Sequence, residues 1–322
     1  MVEPVANLKN INDDEAMDWA VQKPGFSIAD VWARSDPKVG PNDERRFINV
    51  QAYKLDPGKR SDAHFHENHF ELAMVWSGEG VVRYGTAAAG EWRIAPPLAL
   101  KQFDTIAIPP RTLHEFEGTT GTVPFVLITV HALNDQRLET TRAIFGSTPD
   151  TNRLEVRSVK ALGDDPGNWE DPKYRAKRIR VWGKEAGVEK NVPRERVDAN
   201  KGQFHFTLYT FNPKQTNPGH FHPHSIEFVF ALTNEVEFTI RSKLAGGGWD
   251  SPSDVQEQIL EPGDMVLVPL AAWHQYVNRS GTEKSMVMAM QSPHPIMHTL
   301  LYETNGAFDP DKSTEYGGVH VL

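Results

Sequence analysis

The sequence predicts an all-β chain folded as two tandem small barrels with a few short helices, and three observations carry that prediction. First, 23 prolines and 24 glycines break the chain into short apolar runs, a texture of strands and turns. Second, 322 residues suffice for two domains, each with its own core. Third, one arrangement of histidines and glutamate occurs twice. His64-Phe65-His66 is followed by Glu71 and, further on, by Pro109 and His114. His220-Phe221-His222 is followed in the same way by Glu227, Pro269 and His274. An internal repeat of this kind marks two copies of one unit.

The elements follow in order. Residues 1–45 are polar and mixed and read as a lead that packs against a domain. Within it, Asn12 or Asp13 is placed to cap a short helix with acids in its first turn. Residues 46–135 form the first barrel, with strands read at 47–53, 70–76, 81–84, 105–109 and 125–130. Turns fall at Asp56-Pro57-Gly58 and Ser77-Gly78-Glu79-Gly80, and a Gly/Ala/Pro-rich excursion occupies 85–99. Residues 136–195 are charged, lack a periodic apolar pattern and read as the connection between barrels. The basic run from Arg175 to Arg180 within it reads as a solvated or domain-interface surface. Residues 196–300 form the second barrel, with strands at 204–211, 228–232, 236–241, 265–269 and 285–291, and residues 301–322 form a polar tail.

Composition excludes several classes of function. A net charge of −9 argues against a nucleic-acid surface, which needs clustered Lys and Arg. No apolar run approaches the ~20 residues that span a bilayer. The first residues carry no basic lead and no apolar signal core, so the expected location is the cytoplasm. There is no cysteine, so any metal must sit on nitrogen and oxygen ligands.

The repeated residues suit that role. On a strand His64 and His66 point to one face, as do His220 and His222, while Phe65 and Phe221 point to the other. Glu71 and Glu227 reach the same face only if a turn, at Glu67-Asn68 and at Pro223, starts a new antiparallel strand. The fourth ligand of each set, His114 or His274, comes from a strand far along the chain. Three imidazoles and one carboxylate with open positions suit Fe(II), Mn(II), Ni(II) or Zn(II). His69 and His224 stand beside the two sets as acid/base helpers.

With these residues in view, the chain resembles the cupin superfamily, with both of its motifs present twice. The first motif is intact as Gly58, His64, His66, Glu71 and Gly78, and the second is recognisable as Gly263, Pro269, Ala271, His274 and Asn278. There are departures: Phe103, Arg111 and Gly118 stand where Gly, Gly and Asn are expected, Asn234 replaces a closing Gly, and no Gly precedes His220 at the motif's distance. The resemblance thereby puts the long cation of Arg111 near the rim of the first site, an anchor for an anionic substrate. The resemblance implies two double-stranded β-helix (jelly-roll) barrels, a metal in each, and assembly into a homo-oligomer. It further suggests an Fe(II)-dependent dioxygenase that uses O2 to cleave an aromatic or phenolic small molecule, similar to gentisate- and quercetin-cleaving enzymes. The retained glutamates fit the quercetin-cleaving type better. The alternatives are a Mn(II)-dependent enzyme similar to oxalate decarboxylase and a non-catalytic cupin binding protein. Because the second motif is better kept in the C-terminal half, the working centre is expected there.

Overall fold

The computed structural model describes residues 8–32, 48–66, 70–88, 91–119, 121–132, 154–164, 177–182, 205–221, 226–241, 255–269, 272–292, 297–304 and 307–317. They form two compact units, one of residues 11–164 and one of residues 1–10 with 165–322. The first strand, β1 (Lys9–Asn10), therefore belongs to the C-terminal unit.

The N-terminal unit contains, in order, α1 (Asp14–Met17), β2 (Ala20–Lys23), β3 (Phe26–Trp32), β4 (Ile48–Leu55), β5 (Glu71–Ser77), β6 (Glu79–Ala88), β7 (Glu91–Ile94), β8 (Leu98–Lys101), β9 (Asp104–Ile108), β10 (Thr112–Gly118), β11 (Phe125–Ala132), β12 (Val156–Ser158) and α2 (Val159–Asp164). Asp13 caps α1: its carboxylate accepts from the amides of Glu15 and Ala16, both at 3.1 Å, and Met17 buries the helix on the barrel. One sheet runs β12-β9-β5-β11-β4-β3-β2; the other runs β10-β6-β7, with β8 also on β6. Strand β10 alternates strictly, burying Thr112, His114, Phe116 and Gly118. Strand β5 is buried on both faces from Glu71 to Trp76. Tyr53, Ala73, Ile106 and Leu127 from the large sheet meet Val82, Tyr84, Leu100 and Phe116 from the small one in a single core.

Two segments are more regular than their sequence suggests. Residues 20–32 of the lead are strands of the large sheet, paired through β3 to β4. Their alternation is hidden because the register slips between Asp30 and Trp32. The excursion over 85–99 carries the end of β6 and strand β7, paired from Gly85–Ile94 to Ala88–Glu91.

The C-terminal unit repeats the plan with β13 (Lys177–Trp182), β14 (His205–Phe211), β15 (Thr216–Phe221), β16 (Ile226–Thr233), β17 (Val236–Arg241), β18 (Val255–Leu260), β19 (Asp264–Val268), β20 (Trp273–Val277), β21 (Ser285–Ser292), β22 (Met297–Thr304) and β23 (Ala307–Gly317). Its sheets run β1-β19-β16-β21-β14-β13 and β18-β17-β20-β15-β22-β23. Strand β1 is fastened to β19 by pairing Asn10 with Asp264 and by an amide donated from Asn10 Nδ2 to Asp264 Oδ1 at 2.6 Å. Lys177–Arg180, the described part of the basic run, lies in β13 and pairs with β14. The described part of the segment read as a polar tail lies in β22 and β23. No helix among the described residues is long and apolar enough to cross a membrane.

The repeated turns share one backbone conformation whatever residue occupies them. Gly58 (φ 72°) corresponds to Lys214 (φ 64°), Gly78 (φ 74°) to Asn234 (φ 51°), and Gly263 (φ 98°) to Phe103 (φ 66°). Every described departure from a motif glycine therefore keeps the left-handed geometry at a cost of roughly 1–2 kcal/mol each. Of the two glycines that flank the first motif, Gly58 and Gly78, Gly78 is the less replaceable. A Cβ there would lie 2.4 Å from the carbonyl oxygen of Pro124, whereas at Gly58 it meets nothing within 4 Å. Gly78→Ala is expected to destabilise by about 2 kcal/mol or more, and Gly58→Ala by about 1 kcal/mol. Equal shifts of the two urea midpoints would contradict this.

Candidate metal centres

In the N-terminal unit, three separate segments bring their side chains to one point. His64 pairs with His114 as an isolated bridge, with reciprocal amide hydrogen bonds of 3.0 and 2.8 Å. Glu71 starts β5, in the other sheet; Glu67-Asn68, where a turn was expected, lies outside the described residues. His66 Nε2 and His114 Nε2 lie 2.9 and 2.8 Å from Glu71 Oε2, and His64 Nε2 lies 3.8 Å from it. The outer nitrogens are fixed by the backbone: His64 Nδ1 donates to the carbonyl of Asp62 and His114 Nδ1 to that of Thr112, each at 2.9 Å. Both bonds turn Nε2 toward the glutamate.

The electrostatics of this cluster are those of a buried ion pair. Burial is the largest influence on Glu71 and works to raise its pKa. The charge of His114, hydrogen bonds from His114 and His66, and the charge of His131 together outweigh it and hold the carboxyl well below its usual range. Burial likewise works to lower the pKa of His114, but the charge and hydrogen bond of Glu71 win and raise it. With Glu71 ionised, both ring nitrogens of His114 face acceptors, the carbonyl of Thr112 and Glu71 Oε2, an arrangement that suits the imidazolium. Burial, assisted by the charge of His114, lowers His64.

A divalent cation fits this set. One donor atom from each of His64, His66, Glu71 and His114 lies within 4.8 Å of the others. Glu71 is fully buried, and among the described residues no donor reaches its Oε1. A buried carboxylate oxygen without a donor is costly in a metal-free protein and useful to a metal.

The C-terminal unit gathers His220, Glu227 and His274 in the same way. His220 and His274 pair across β15 and β20, with ring centroids 4.3 Å apart, the separation also found between His64 and His114. His274 Nδ1 donates to the carbonyl of Ala272 at 3.0 Å, and its Nε2 lies 3.5 Å from Glu227 Oε1. His222 lies outside the described residues, as do His69 and His224.

Set against known proteins, the Cupin domain family matches residues 52–131 and 207–290, half of the chain. The chain belongs to the cupin family. Being matched twice, it is a bicupin, and the two centres occupy equivalent places in its two cupin domains. It is similar to oxalate oxidase GF-2.8 of Triticum aestivum, with 31% identity over 85 residues, 26% of this chain and 36% of that protein. Oxalate oxidase 2 of Hordeum vulgare matches with the same figures. The chain thus spans about a third of the length of the curated relatives it matches. Among solved structures, it resembles the Lactobacillus farciminis oxalate decarboxylase formate complex with a TM-score of 0.53 and 13% identity, over 92% of this chain and 88% of that one. It also resembles the Momordica charantia 7S globulin, with a TM-score of 0.56 and 8% identity, over 89% and 84% of the two chains. At such identities the likeness is one of fold.

Three residues that the cupin motifs do not include also reach the centres. His131 stands opposite Glu71 on β11, with its ring centroid 4.9 Å from that of His66. In the second cupin domain Gln291 stands opposite Glu227, and Tyr276, two residues beyond His274, reaches the same carboxylate. Strand alternation carries the signal for Tyr276, since residues i and i+2 share a face.

Arg111 occupies the glycine position of the second cupin motif and adopts that glycine's conformation, φ 61°. Its amide donates to the carbonyl of His66 at 2.7 Å, which holds this exposed arginine at the edge of the first centre. Relief of the left-handed strain should outweigh glycine's extra chain entropy. Arg111→Gly is therefore expected to stabilise by about 0.5–1 kcal/mol, a rise of about 2 °C in the thermal midpoint. A fall in that midpoint would count against the strain.

Proposed function

We propose that this bicupin is a metal-dependent oxidoreductase acting on a small organic acid, with oxalate as the first substrate to test and the first centre as the site of chemistry. The observation that carries the reading is Glu71: buried, ionised and with one oxygen that no described donor reaches, among three imidazoles. This reverses the preference that motif completeness gives to the C-terminal centre. The names of the curated relatives support oxalate as the acid.

When bound, Fe(II) or Mn(II) supplies open coordination positions and a one-electron couple. The chain's own residues do the rest. His64, His66 and His114 present Nε2, two of them oriented by backbone carbonyls. Glu71 balances the cation's charge. The barrel below is filled by Tyr53, Val82, Phe116 and Leu127, so substrate approaches from the more open side of His64 and His66. Arg111, tied to His66 on that side, supplies the cation that a carboxylate needs.

Aromatic ring cleavage with Fe(II) and O2 is the second reading, and the glutamate kept in both motifs fits its quercetin-cleaving type better than its gentisate-cleaving type. One experiment separates the possibilities. Protein loaded separately with Mn(II) and Fe(II) is given O2 with oxalate, gentisate-like acids, catechols or flavonols. Carbon dioxide with hydrogen peroxide from oxalate marks an oxidase, and carbon dioxide with formate marks a decarboxylase. Consumption of a phenolic ring in place of oxalate would transfer the proposal to ring cleavage, and inertness toward the whole panel would sink both readings. For oxalate, Arg111→Gly is expected to raise KM more than it lowers kcat.

A further inference from the structure

The two glutamates of the repeat stand in opposite surroundings, and the difference comes from two substitutions at equivalent places. In the first cupin domain Phe116 follows His114 by two residues, and His131 stands opposite Glu71. In the second, Tyr276 follows His274 by two residues, and Gln291 stands opposite Glu227. Phe116 has no hydroxyl, and Oε1 of Glu71 is reached by no described donor. Tyr276 donates its hydroxyl to Glu227 Oε1 at 2.5 Å, and Gln291 donates its amide to Glu227 Oε2. Both oxygens of the second glutamate are therefore held, each with a lone pair left for a cation.

The tyrosine cannot readily give up this bond. Its ring is fully buried and stacks on Phe238 at 5.3 Å and on Tyr209 at 6.2 Å between centroids, with interplanar angles of 28° and 29°. Those neighbours leave the hydroxyl aimed at the carboxylate. Gln291 is also fully buried, on the strand that pairs with β16.

From this geometry we propose that Tyr276 and Gln291 are positioning residues that clamp Glu227, so that the second centre retains a divalent cation in fixed ligation, while Glu71 is free to change its mode of ligation. The inference rests on the reading that both clusters hold metal, and it assigns them different work. Groups that orient a ligating side chain are worth about 10–100-fold in metal affinity.

The test isolates the second centre. In the full chain carrying His114→Ala, Mn(II) is titrated by calorimetry and by the electron paramagnetic resonance of the ion, with and without Tyr276→Phe. The expected result is one tightly held Mn(II) in the His114→Ala protein. Binding should be about 10–100-fold weaker, with an altered resonance line shape, once the hydroxyl is removed. Gln291→Asn, which keeps the amide but shortens its reach, gives an independent second variant and should also weaken binding. Thermal unfolding of each metal-free protein separates lost affinity from lost fold. Equal Mn(II) affinity with and without the Tyr276 hydroxyl in folded protein would overturn the proposal, as would failure of the His114→Ala protein to bind Mn(II). Because metal alone is read, the outcome stands apart from whether the first centre turns over oxalate.

Discussion

Replacing His114 by alanine is expected to strip the metal from the first centre and to lower turnover by more than the roughly 10–100-fold that loss of an outer partner of a ligand costs. His114 is a donor to Glu71 Oε2 at 2.8 Å and also sets the register of the segment carrying His64, through paired backbone bonds. The alanine keeps those backbone bonds and deletes only the imidazole, so the barrel should still close. The metal-free protein pays a separate penalty. Glu71 is fully buried, and without His114 its charge is left with His66 as its nearest hydrogen-bond partner. Breaking a buried pair from one side typically costs about 3–5 kcal/mol. Elemental analysis and steady-state rates check the first effect, and urea unfolding of the metal-free protein checks the second. Retained first-centre metal with unimpaired turnover would dismantle the assignment.

The second large effect is on pH. In the metal-free protein the depressed Glu71 and the raised His114 have opposite signs of linkage. The contribution of Glu71 to stability is present above its unfolded pKa and lost as pH falls through the depressed folded value. That of His114 is present below its unfolded pKa and lost as pH rises through the raised folded value. Their pair therefore stabilises fully between the two unfolded values and fades as pH passes through the folded value on either side. Metal reverses the outcome for His114, whose Nε2 proton must leave before it can ligate. His64, lowered by burial, gives up its proton below the ordinary imidazole value and so before His114 does. One proton should thus be released per metal at the first centre, and apparent affinity should rise about tenfold per pH unit until the His114 pKa is passed. Calorimetry in buffers of different ionisation enthalpy counts the proton. Affinity independent of pH across this window would show that His114 does not ligate.

Much of the fold and both centres were legible in the sequence, for definite physical reasons. Metal ligation demands particular residue types at fixed spacing, and here the pattern is written twice, from His64 to His114 and from His220 to His274. Strands such as Phe125–Ala132 and Ser285–Ser292 announce themselves as apolar runs because they lie in the middle of a sheet. Edge and outer strands do not. Ala20–Lys23 is largely exposed, and Ala307–Gly317 lies at the edge of its sheet with a polar, proline-containing sequence. The positive φ angles of Lys214, Phe103 and Arg111 were hidden because backbone geometry is imposed there by neighbouring turns and ladders and not by the residue itself. The clamp on Glu227 was hidden for a different reason. Gln291 is distant in the chain, and only the register of β16 against β21 brings it opposite the glutamate.

The most direct test of the account is a crystal structure of the protein grown with Mn(II), with anomalous difference maps recorded at the manganese edge. The expected result is a peak bonded by Nε2 of His64, His66 and His114 and by a carboxylate oxygen of Glu71, with the His114–Glu71 hydrogen bond replaced by the metal. A fully metal-loaded protein that shows no peak there, and keeps that hydrogen bond intact, would contradict it.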